Sequence, residues 1–147
     1  MVSFETLHTQ NHTITELSNV FRYLIQDRLM CDTQIACDLF FNFAKKTKEH
    51  MELVDKELCG QLISHDDQSV KNTADRFLSG STEIKRIFAD YLKDYCSERR
   101  GGTLKIKNYE SFVNETNQMF DLVLDRIQRE TEHLYPLIRK LEQQQAA

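Results

Sequence analysis

Apolar residues recur at steps of three and four through four separate stretches of the chain, a period that fits amphipathic helices. In the first, about Phe4 to Met30, Leu7, Ile14, Leu17, Phe21 and Leu24 fall on one helix face. The polar knot Cys31-Asp32-Thr33 breaks that run and offers a cap for the next. The second, about Gln34 to Leu62, aligns Ala36, Leu39, Phe43, Thr47, His50, Val54 and Glu57. The loop SHDDQS (64–69) then supplies turn formers and a new cap. The third, about Val70 to Cys96, carries Phe77, Ile84, Phe88, Tyr91 and Tyr95, with Gly80 inside it at about 1 kcal/mol relative to alanine. After a basic turn, SERRGG (97–102), comes LKIKN, too short to specify a strand. The fourth stretch, about Tyr109 to Gln144 with Asn108 as its cap, turns Phe112, Met119, Phe120, Val123, Ile127, Leu134 and Leu137 inward and leaves a fraying QQQAA tail.

Four glycines and one proline in 147 residues are too few for the turns of an all-β fold. Long helices with short connections pack best as an up-down-up-down antiparallel four-helix bundle, here a single domain over 1–147. A net charge of −4 argues against a general nucleic-acid binder, because no basic face is left to neutralise phosphates. The start MVSFETLHTQ has no basic-then-apolar leader, and no run approaches the ~18 apolar residues of a membrane span. Four scattered cysteines without a CxxC pair read as reduced thiols. A soluble cytoplasmic domain is expected.

The informative residues are the polar ones inside the stripes. Burying a polar group without a partner costs roughly 1–3 kcal/mol, and a charge costs more. Yet His50 lines up with Phe43 and Val54, and Glu130 with Val123 and Leu137. Arg126 lies one turn before Glu130, and His133 continues that edge. A rotation of the last helix would instead leave Glu130 on a solvated rim, and His50 has a plain reading as a hydrogen-bonded core histidine.

The segment Arg126-Ile127-Gln128-Arg129-Glu130 with Leu134-Tyr135-Pro136 resembles the last helix of hemerythrin-like domains, whose pattern is H-I-x-x-E, a leucine, an aromatic and a proline. KKTKEHMELVDKEL (45–58) is similar to that family's second helix, in which a histidine precedes a glutamate by four. The resemblance covers most of the chain. It implies a four-helix bundle around a non-haem di-iron site held by histidines and carboxylates, suitable ligands for iron.

Carried over residue by residue, the resemblance leaves His50 and Glu130 as metal ligands. The glutamate expected after His50 is Val54. Asp55 is a poor substitute, since a fifth step turns it about 140° from His50. The last helix has Arg126 where the family has histidine, and the third-helix position falls near Ser81. On the first helix the count lands on Asn11, with His12 next as a further candidate ligand, although helical projection points His12 outward. Arginine has no lone pair to give. Val54, Ser81, Arg126 and Glu130 thus outline a structural remnant in which Arg126 replaces the metal charge and neutralises Glu130. His8 and His12 have a spacing that grips a surface metal and that also arises by chance. The Glu130–His133 spacing, known from ferritin-type bundles, has no second copy here and reads as coincidence.

No glycine-rich phosphate loop, nucleophile elbow or zinc-type cysteine set is present. The expected function is a non-enzymatic interaction or regulatory module with a protein partner, no resident cofactor, and no contact with nucleic acid or membrane. A leftover apolar stripe would allow pairing of two copies. The alternative is a non-haem iron sensor or carrier, responding to oxygen, nitric oxide or redox state through His12, His50 and Glu130.

Overall fold

The computed structural model describes residues 3–96 and 102–146. It is all-α, with four long helices and no strand among the described residues. Helix α1 is Phe4–Ile25, and a 3₁₀ turn, Met30–Asp32, leads to α2. Helix α2 runs from Gln34–Val54 through a π-helical segment, Asp55–Cys59, into a last turn, Gly60–Leu62. Helix α3 is Gln68–Tyr95. Helix α4 runs from Tyr109–Arg129 through a second π segment, Glu130–Leu134, into Tyr135–Ala146.

Each helix starts on a short polar side chain that takes an otherwise orphaned backbone N–H. Ser3 Oγ accepts from Thr6 N–H, Thr33 Oγ1 from Ala36 N–H, Asp67 Oδ1 from Ser69 N–H, and Asn108 Oδ1 from Ser111 N–H. Thr33 lies in the polar knot and Asp67 in the SHDDQS loop that the sequence offered as caps, and Asn108 is the cap it named. Helix α1 stops five residues short of Met30. The Tyr109 hydroxyl takes the Ile25 carbonyl at 2.5 Å, Asp27 Oδ1 accepts from Leu29 N–H, and Cys31 is drawn into the core. The expected fraying tail is instead helical through Ala146.

Most of the expected 97–102 turn lies outside the described residues. Cys96 and Leu104, on either side of it, form an isolated antiparallel bridge, and Lys105 N–H donates to the Tyr95 carbonyl at 2.7 Å. LKIKN is therefore pinned to the end of α3 without becoming a strand.

The core comes in two apolar clusters. The larger is aromatic: Phe21 packs against Phe40 and Phe120, Phe43 edge-on against Phe88 and Phe120, and Tyr91 against Phe40. The smaller joins Leu7, Val54, Leu58, Leu62, Val70, Ala74, Leu134, Tyr135 and Ile138. Between them along the helices come Asn11, His50, Asp55, Ser81, Arg126 and Glu130.

The π segments explain where the inward faces move. At about 100° per residue, an unbroken α2 would carry Leu58, Leu62 and Cys59 about 50°, 90° and 150° off the stripe set by Phe43, Thr47, His50 and Val54. The wider turn, marked by the Gly60 N–H bonding to the Asp55 carbonyl, brings all three inside. In α4 the Tyr135 N–H bonds back to the Glu130 carbonyl, and the buried residues become Leu134, Tyr135 and Ile138, while Leu137 is only half-buried. Pro136 has no N–H to return to Glu132 and its ring crowds that carbonyl, a sufficient local reason for the helix to loosen there. In α2 Phe40 is buried along with Phe43, while Leu39 and Glu57 are half-buried.

Candidate functional site

The polar layer between the two clusters is a single hydrogen-bonded network. Glu130 lies at its centre and is fully buried. Its Oε1 accepts from the His50 ring at 2.6 Å and from the Tyr135 hydroxyl at 3.0 Å. Its Oε2 accepts from Arg126 Nε at 2.9 Å. The rest of the guanidinium reaches outward: Nη1 donates to the Phe77 carbonyl at 2.7 Å and Nη2 to Asp55 Oδ1 at 3.4 Å. Ser81 Oγ donates to the same Asp55 oxygen at 2.9 Å. On the far side, His50 Nδ1 meets Gln10 Oε1 at 2.7 Å, and Asn11 Nδ2 donates to the Tyr135 hydroxyl at 3.1 Å. All four helices contribute.

Which His50 nitrogen faces Glu130 with a proton follows from its neighbours. Whichever way the Gln10 amide is turned, the ring nitrogen beside Glu130 faces a carboxylate and so carries the proton. Burial pushes the Glu130 carboxyl up, but the hydrogen bonds and charge of His50 and Arg126 outweigh it and hold it below the ordinary glutamate range. Asp55 goes the other way: burial raises its carboxyl more than Ser81 and Arg126 lower it. The Tyr135 hydroxyl is pushed well up by burial and by the Glu130 charge, so it stays a donor.

The sequence placed His50, Arg126, Glu130, Ser81 and Val54 near one another, and the structure brings the first four into the network. Glu130 is not on a rim. Val54 is buried with the smaller apolar cluster, next along the helix from the network. His12 stands apart: it is exposed on the outside of α1, 3.6 Å from Glu16, so it does not form one ligand set with His50 and Glu130. His8 is also exposed, its ring edge-on to Tyr135 at 5.5 Å. His133 lies on the outer face of the π turn, beside Glu132, away from Glu130.

Sequence reasoning missed Gln10 and Tyr135, and set Asp55 aside. Tyr135 is five residues beyond Glu130, a spacing that faces away in an α-helix and inward only across a π turn. Asp55 does point away from His50, as the 140° rotation requires. It joins from the α3 side because the Arg126 side chain is long enough to bridge both carboxylates. Asn11, reached by counting back along α1, is the inward residue there.

The metal that the family resemblance implies does not fit these residues as they stand. Both Glu130 oxygens are engaged, His50 presents N–H rather than a lone pair, and a guanidinium fills the space between the carboxylates. Among the described residues no group of three or more His, Cys, Asp or Glu side chains is placed to hold a metal ion. Within the network, the buried atom without a partner is Asn11 Oδ1, a lone amide oxygen. The four cysteines are free and buried, and burial pushes the Cys59 and Cys96 thiols up to about 12, which suppresses the reactive thiolate. No helix among the described residues is long and apolar enough to cross a membrane. No family model, curated protein sequence or solved structure matches the chain.

Proposed function

We propose that the chain is a hemerythrin-like, up-down-up-down antiparallel four-helix bundle whose metal site has become an ionic layer, and that it is a non-enzymatic, cytoplasmic interaction or regulatory module. The observation that carries the reading is the Arg126 guanidinium, 6% exposed, joining Glu130, Asp55 and the Phe77 carbonyl where the family resemblance calls for a metal-binding histidine. The cation supplies in covalent form the positive charge that a metal would bring.

The antiparallel order is supported by cross-helix pairs that run in opposite directions. Gln10 meets His50 while Phe21 meets Phe40, and Asp55 meets Ser81 while Phe40 meets Tyr91. Phe77 meets Arg126 while Tyr91 meets Thr116. A surface role is supported by Val20, Tyr23, Leu29 and Ile35, large apolar side chains left exposed along the stretch from the last turns of α1 to the first turn of α2.

Elemental analysis and an optical spectrum of protein purified from iron-rich medium test the reading. The expected result is iron far below one ion per chain and no charge-transfer band in the visible. Stoichiometric iron with such a band would overturn it in favour of an iron sensor or carrier.

A further inference from the structure

A recess of about 420 Å³ opens between α3 and α4, lined by Thr73, Arg76, Phe77, Arg129 and His133. A smaller one, about 110 Å³, shares Arg76, Phe77 and Arg129 with it and extends past Gly80 to Arg126. A Cβ at Gly80 would touch Arg126 Nη1 at 3.4 Å, which places this glycine directly over the buried guanidinium. Four basic side chains therefore border one groove on a chain whose net charge is −4. The one carboxylate on its lining, Glu83, is already engaged by Arg86 at 2.5 Å.

The local sequence builds this groove. Thr73, Arg76 and Phe77 are at steps of three and four on α3, and Arg129 and His133 are four apart on α4. Asp125 holds the Arg129 guanidinium, and Glu132 lies 4.0 Å from His133. Arg76 is exposed and makes no ion pair or hydrogen bond among the described residues. It is a free guanidinium beside a half-buried phenyl ring.

We propose that this groove binds a small organic anion, a phosphate monoester carried on an aromatic body. The free Arg76 fork matches a pair of phosphate oxygens, the Phe77 ring offers an apolar wall, and the volume falls within the roughly 300–1,000 Å³ of small-molecule sites. Arg126, held through the Phe77 carbonyl, adds positive field from below without leaving its own partners. The proposal does not depend on the loss of the metal site and stands or falls separately from it.

The test is calorimetric titration of the full chain with phenyl phosphate, and with inorganic phosphate for comparison. Saturable one-to-one binding of phenyl phosphate is expected, at least about tenfold tighter than inorganic phosphate. Arg76→Ala, which removes an exposed side chain without partners, is expected to weaken it at least about tenfold at an unchanged melting temperature. Absence of saturable binding, equal affinity in Arg76→Ala, or no preference over inorganic phosphate would each overturn the proposal.

Discussion

Arg126 touches three helices at once. Its Nε bonds Glu130 on its own helix, Nη1 the Phe77 carbonyl on α3, and Nη2 Asp55 on α2. Removing it would leave Oε2 of a fully buried carboxylate without its donor and weaken the compensation of a second. Arg126→Met should therefore lower the unfolding free energy by roughly 3–5 kcal/mol in chemical denaturation, the range for a broken buried ion pair. Glu130 should also set the acid limb of stability. Its folded pKa lies below the ordinary 4.5, so the folded state holds fewer protons than the unfolded chain. Its contribution is complete above that ordinary value and drains away as pH falls through the folded one. Asp55, raised above 3.8, has the opposite sign: its share is present below 3.8 and lost as pH rises through its folded value. Unfolding free energies of wild type and Glu130→Gln between about pH 5 and pH 3 should show a shallower acid loss in the variant. Equal slopes would mean that His50 and Arg126 do not hold the carboxylate ionised.

The long helices were legible because period, caps and breaks agreed along most of their length. The phase of their last turns was not legible, because a π turn inserts one residue without a sequence signature of its own. Only Pro136 hinted at one, and only in α4. The same arithmetic makes a prediction at this scale. Deleting Lys56, an exposed residue inside the α2 π segment, should close that turn into ordinary α-helix while keeping Val54, Leu58, Cys59 and Leu62 on the core face. Deleting the equally exposed Thr82 from the regular part of α3 turns everything beyond it by about 100°. Thermal melts followed by circular dichroism should show Lys56 deletion tolerated within about 2 kcal/mol and Thr82 deletion unfolding the protein. His50, Arg126, Glu130 and Ser81 could be found from stripes and resemblance. Gln10 and Asp55 could not, because they enter the layer through the reach of long side chains rather than through helix phase.

Across the molecule, a polar layer separates an aromatic cluster from an aliphatic one. Buried ion pairs add little net stability over apolar residues of the same shape, but they penalise any packing that leaves one partner alone. The layer therefore fixes how the four helices align while the two clusters supply most of the stabilisation. The four buried cysteines, Cys31 and Cys37 in the aromatic cluster and Cys59 in the aliphatic one among them, report on both at once. In a thiol-reagent assay near pH 8 the native protein should react slowly, and all four should titrate together on unfolding; rapid reaction of one thiol in native buffer would reveal a layer that opens locally. The most direct measurement of the central claim is a double-mutant cycle on Arg126→Met and Glu130→Gln, read by denaturant unfolding. If the guanidinium is the fixed counter-charge of Glu130, the double variant should be more stable than the sum of the single losses predicts, by about 1–3 kcal/mol. Simple additivity would mean that the two side chains do not depend on each other, and the account of Arg126 as the replacement charge would be wrong.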